Sequence, residues 1–344
     1  MVLTTQRSFR ERARAAWRVR TWVRAIILLM ATLEAGAAGA DTWRSVAEAC
    51  LAGTERHWRD MLVCGDAIYR GQQRASTDTA TLASLYARRG LVLHWMGANE
   101  EALGDLTQAL ALNPVSATTL MRRGRVHRST GRFEAAVVDF NQAVVLSPHF
   151  ARAYRERGFT ALLRDDDGAA LVDLDQAVTL APFEPEAVAT RGIIRYELGR
   201  WLEALDDFHT ANRLRYAYDY LAVWEWLTML RSGATHEQVT RALTHWQQQA
   251  TPDTGWPRLL VRAFSVAHDS TLLAKLTEQI AQADLTMRQR REAWFYIGEW
   301  LVASGADDVR AKSFFQRALA QEAGESSKGD LLERHLAQRR LASK

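Results

Sequence analysis

The stretch GRFEAAVVDFNQAVVLSPHFARAYRERG, Gly131 to Gly158 of a 344-residue chain, reads as two amphipathic helices around a Ser-Pro joint. Its apolar and small residues Phe133, Ala136, Phe140 and Ala143 recur at helical spacing, so one face of the first helix is expected to be buried. Pro148 cannot continue a helix and pushes Ser147 towards extended geometry, so the second helix begins only after it. The stretch returns 34 residues upstream as GANEEALGDLTQALALNPVSATTLMRRG and 34 residues downstream as DDDGAALVDLDQAVTLAPFEPEAVATRG.

Aligned on their small residues, these segments form four units, 83–116, 117–150, 151–184 and 185–218, each a pair of helices A and B. The eighth position is Gly90, Gly124, Gly158 and Gly192. The twentieth is Ala102, Ala136, Ala170 and Ala204, and the twenty-seventh Ala109, Ala143, Ala177 and Ala211. Two helices approach closely only where side chains are small, so these positions let each hairpin nest into itself and its neighbour. The pattern resembles the tetratricopeptide repeat. That resemblance implies an all-α fold, a right-handed α-solenoid of helical hairpins, whose ligands contact positions 2, 5, 9, 12 and 13 of helix A on a concave face.

The pattern fades on both sides without vanishing. Residues 41–82 fit a degenerate N-terminal hairpin carrying Cys50 and Cys64 on facing helices. Residues 219–290 are helical by periodicity but lack the small residues, and 291–344 recover a hairpin, with Trp294, Gly298, Ala311, Phe315 and Ala318 in register, before a closing charged helix over about Lys328 to Leu341. That last helix is expected to cap the end of the stack. The pieces YLAVWEWL, FYIGEWLVASG and FFQRALA in this order resemble the NlpI-type envelope adaptors of Gram-negative bacteria. The resemblance implies an adaptor architecture. Those adaptors carry a lipidated N-terminal cysteine; Cys50 follows Glu48 and Ala49, beyond charged residues, so membrane tethering does not carry over.

Residues 1–40 hold seven Arg against Glu11 and Glu34, which leaves 37 of the 44 basic and 38 of the 40 acidic side chains to the rest. A near-neutral remainder does not point to nucleic acid as a partner. The Arg-rich start, the run AIILLMATL and the small residues Ala38 and Ala40 read as a signal peptide cleaved before Asp41, and hence as export to the periplasm. A retained anchor and a mitochondrial presequence are the competing readings of that segment. The two cysteines of an exported chain, 14 residues apart, are expected to form a disulfide.

No catalytic or metal motif stands out, and no cofactor is expected. The run RDDDG, Arg164 to Gly168, lacks the alternating ligands of a calcium loop and reads as a solvated turn. Position 7 is Arg89, Arg123, Arg157 and Arg191, and position 23 is Asp105, Asp139, Asp173 and Asp207. An arginine on helix A and an aspartate on helix B in every unit predict a ladder of structural ion pairs, within a unit or to the preceding one. The groove positions and the adjacent position 6 gather Arg122, Arg125, Arg128, Arg152 and Arg155, flanked by His94, Trp95 and Tyr196. Two readings fit these charges, a solvated charged face and an anion-recognising face suited to an acidic peptide or a C-terminal carboxylate, with Glu156 and Glu197 as the nearest intramolecular acids. The function expected is therefore a non-enzymatic protein–protein adaptor. The alternatives are an enzyme whose site lies in 219–290, where Trp224, Trp226, Trp246 and Trp256 could line a pocket, and a structural oligomerisation module.

Overall fold

The computed structural model describes residues 40–52, 57–74, 78–214, 220–249, 270–282, 285–305, 308–320 and 331–342, and sixteen α-helices and no strand lie among them. The expected signal peptide falls outside the described residues. The chain divides into two compact units, one ending at Val126 and the other starting at His127.

The first unit contains α1 (Ala40–Ala52), α2 (His57–Gln72), α3 (Thr79–Trp95), α4 (Asn99–Leu112) and the start of α5 (Ala117–Ser129). Cys50 on α1 and Cys64 on α2 are joined in a disulfide, with their Cα atoms 4.8 Å apart. Both sulfurs are buried with Ala67, Leu85 and Leu106. The carboxylate of Asp78 starts α3 by accepting from the backbone N–H groups of Ala80 and Thr81, donors that a helix start otherwise leaves unmet. Gly90 shows why the eighth position is glycine: a Cβ there would lie 2.8 Å from Cγ of Leu106 on the facing helix.

The second unit continues with α6 (Phe133–Leu146), α7 (Ala151–Leu162), α8 (Asp167–Leu180), α9 (Pro185–Glu197), α10 (Trp201–Arg213), α11 (Tyr220–Arg231) and α12 (His236–Gln249). It closes with α13 (Ser270–Gln282), α14 (Met287–Ala303), α15 (Asp308–Ala320) and α16 (Leu331–Ala342). Helices α7 with α8, α9 with α10, and α14 with α15 pack as hairpins, and α11 packs on both α10 and α14. Trp224 on α11 is fully buried, with ring centroids of Tyr196, Phe208, Phe295 and Tyr296 between 5.2 and 6.5 Å away. Large rings thus replace the small residues of the regular repeats where α11 and α14 meet.

The closing helix makes contacts beyond the last hairpin. It packs on α14 and α15, and its arginines also reach back to α8 and α9. Among the described residues, no helix is long and apolar enough to cross a membrane.

Candidate functional site

In the first, third and fourth repeats the repeated Arg and Asp meet inside their own repeat. Arg89 donates to both oxygens of Asp105 at 2.7 and 2.8 Å, Arg157 to both of Asp173 at 2.7 and 2.6 Å, and Arg191 to both of Asp207 at 3.1 and 2.6 Å. In the second repeat, Arg123 reaches Thr107 Oγ1 at 3.5 Å in the first unit, while Asp139 faces His127 Nε2 at 3.9 Å in the second. The same arginines also touch position 25 of the preceding repeat: Arg157 donates to Asn141 at 2.9 Å and Arg191 to Asp175 at 3.1 Å. After the fourth repeat the polarity of this second contact reverses. His209 stands at position 25 and Glu225 at the next position 7, 3.1 Å apart. Burial raises the Glu225 pKa against the opposing pull of His209 and Asn212. The change of residue type hid this rung from a reading that sought only Arg and Asp.

The groove arginines of the second unit are engaged by acids. Arg128 Nη1 is 2.7 Å from Glu156 Oε2, and its guanidinium lies 4.8 Å from the centre of the Phe159 ring. Arg155 holds both Glu156 and Glu186, and Arg152, with half of its side chain exposed, stands 3.5 Å from Glu184. Glu156 is therefore an intramolecular partner as expected, but Glu197 is not: it belongs to Arg340 on α16. Arg122 and Arg125 are partly buried on α5, in the first unit.

Two flanking residues differ from the surface roles expected of them. His94 is buried, with Nδ1 2.8 Å from Asn99 Oδ1 at the start of the next helix. Tyr196 is buried as well, and its hydroxyl donates to Glu299 at 3.0 Å. Trp95 is 41% exposed, with Arg88 packed 5.7 Å over its ring.

A second charged cluster, unforeseen from the sequence, surrounds α16. Arg340 donates to both oxygens of Glu197 at 2.9 and 2.6 Å and to both of Glu299 at 2.6 and 3.2 Å. The side chains of Glu197 and Glu299 are 1% and 0% exposed. Burial raises the Glu197 pKa, opposed by Arg340. Burial alone would lower Arg340, but Glu299 and Glu197 outweigh it, so the guanidinium is held more firmly protonated than usual. Burial next to Glu299 likewise raises the Tyr196 phenol, which stays a donor. Arg339 donates to both oxygens of Asp167 at 3.0 and 2.7 Å, so the run RDDDG is not simply a solvated turn. Two signals could have disclosed this cluster: the adjacent arginines of α16, and an aspartate where the other turns have glycine.

Trp224 and Trp226 are core residues; the side chain of Trp246 and all of Trp256 lie outside the described residues. Among the described residues, no group of three or more His, Cys, Asp or Glu is arranged to hold a metal ion.

Compared with solved structures, the chain is similar to a tetratricopeptide repeat protein from Parabacteroides merdae, with a TM-score of 0.53 and 14% identity over 86% of this chain and 100% of that one. It is also similar to PilF of Pseudomonas aeruginosa, with a TM-score of 0.50 and 18% identity over 61% of this chain and 95% of that one. No known family profile matches the sequence, and no curated protein matches it. The fold is thus an all-α solenoid of tetratricopeptide hairpins.

Proposed function

We propose that the chain is a non-enzymatic protein–protein adaptor of the bacterial cell envelope, similar in type to the NlpI adaptors, that binds an acidic segment or a chain-end carboxylate on the helix A face of its third repeat. One observation supports this most directly. Arg152 and Arg155 stand at ligand-contact positions 2 and 5, and their partners Glu184 and Glu186 are partly exposed acids on the edge of the neighbouring repeat. Carboxylates of a partner can replace such rim acids at little cost, because the rim contacts are partly exposed, Arg152 meeting a single oxygen of Glu184 at 3.5 Å, and a chelating carboxylate offers a guanidinium two acceptors in their place. Export is supported by the disulfide, since such bonds persist in oxidising compartments.

The experiment is capture of partners from envelope extract with the wild-type chain and with Arg152→Glu plus Arg155→Glu. A partner retained by the wild type and lost by the double variant, at unchanged helicity, supports the reading. Equal retention moves the partner to another face. Sequencing the N-terminus of the exported protein and finding Asp41 first would support cleavage after residue 40; an intact Arg-rich start would overturn it.

A further inference from the structure

The acids that hold α16 are not required by the repeat. Helix α16 buries Leu332, Leu336 and Ala337 along one stripe. At 12 residues it is near the length, about 12–15, below which an isolated helix is marginal in water, so its helicity depends on docking. The docking contacts on its polar side come from three separate places. Asp165 and Asp167 lie at the α7–α8 turn, Glu197 ends α9, and Glu299 lies on α14.

Two features of these acids have no structural need behind them. At position 15 the other hairpins have Gly97, Gly131, Gly199, Gly233 and Gly305, with φ from 69° to 93°, whereas the third has Asp165 at φ 61°. A side chain in this left-handed region carries a steric penalty that glycine escapes. Its carboxylate stands 3.3 Å from His335 Nε2 and 3.5 Å from Arg339 Nε, both on α16. Secondly, Glu197 and Glu299 bring two buried carboxylates onto one guanidinium. Well-packed apolar residues often serve stability as well as a buried ion pair does, so such a set is poorly explained as a stabiliser. It is well suited to discriminate a guanidinium from any uncharged side chain.

We propose that α16 is a releasable intramolecular ligand: Asp165, Asp167, Glu197 and Glu299 form a site for a helix bearing two adjacent arginines, and the Arg339–Arg340 pair of the chain itself occupies it. The site takes helical segments of this chemistry, and α16 holds it closed until one competes. The inference stands apart from the arginine face proposed above, because it concerns acids and a cationic ligand.

The test starts from the folded full chain. A protease recognition sequence is placed within residues 321–330 and cut after folding, and the fragment carrying α16 is exchanged against excess fluorescent peptide of residues 328–344. The expected result is that the fragment exchanges, the remaining chain keeps its helicity and cooperative melting, and the peptide binds less tightly as salt rises. The same peptide with Arg339→Ala and Arg340→Ala is expected to bind at least about a hundredfold more weakly, because Glu197 and Glu299 lose their guanidinium, with only the Tyr196 hydroxyl, among the described residues, still donating to Glu299.

Changing the receptor gives an independent reading. Asp165→Gly with Asp167→Asn, both in a turn, is expected to leave the body at least as stable while weakening peptide binding about tenfold. Loss of helicity in the body when the fragment leaves would make α16 a fixed part of the core and overturn the proposal. Equal binding of the arginine-free peptide would overturn it too, by showing that the contact is only apolar.

Discussion

Arg157 lies against Asp173 through two hydrogen bonds of 2.7 and 2.6 Å, and the acid is the deeper partner, its side chain 9% exposed against 24% for the arginine. The same order holds for Arg89 with Asp105 and for Arg191 with Asp207. Removing the arginine therefore strands the more deeply buried charge, and both single substitutions carry a cost. Arg157→Leu and Asp173→Ala are each expected to lose about 1–3 kcal/mol, and the double variant less than their sum. Urea unfolding of the four members of this cycle checks it; additive losses would mean that the pair is not coupled.

Glycine matters at the eighth position for the space it leaves, and this can be separated from its backbone effect. At Gly298 a Cβ would lie 2.6 Å from Cε1 of Phe315, whereas at Gly104, on the exposed side of α4, nothing lies within 4 Å. Gly298→Ala is expected to cost about 1–3 kcal/mol by overpacking. Gly104→Ala is expected to raise stability by about 0.5–1 kcal/mol, because alanine is the better helix former. Opposite shifts of the urea midpoint for one and the same substitution are the signature.

The Cys50–Cys64 bridge closes a loop of 14 residues between two helices that pack together. By the chain-entropy argument it contributes roughly 3 kcal/mol to the first unit. Thermal melting with and without reductant should show that loss, and peptide mapping of the purified protein without reductant should find the two cysteines linked. Two free thiols there would remove the bridge from the native protein.

His335 is expected to make the docking of α16 sensitive to acid. Burial lowers its pKa below the ordinary 6.5, with Asp165 opposing, Arg339 adding, and Asp167 and the Leu162 carbonyl also facing the ring. A histidine with a lowered folded-state pKa favours the docked state when neutral, so its contribution is fully present above the ordinary value and is lost as pH falls through the lowered one. Amide exchange protection of α16 should therefore weaken between about pH 7 and pH 5, in the range where histidine titrates, and weaken less in His335→Gln. Identical pH profiles would assign the effect to other groups.

The repeat was legible because it is local. A hairpin whose helices meet at Gly158, Ala170 and Ala177 states its own packing within one 34-residue unit, and Arg157 finds Asp173 only 16 positions away on the facing helix. Spacing alone therefore pointed to the helical hairpins, to a ladder of Arg and Asp, and to two cysteines on facing helices, while the structure decided that Arg89, Arg157 and Arg191 take the Asp of their own repeat. The tertiary structure decided what no spacing announces. Arg340 meets Glu299 across 41 positions and Glu197 across 143, and Arg339 meets Asp167 across 172. These contacts join a helix outside the period to acids inside it. A period specifies each unit only against its neighbours, so where the last helix docks, and which buried charges it neutralises, follows from three-dimensional packing.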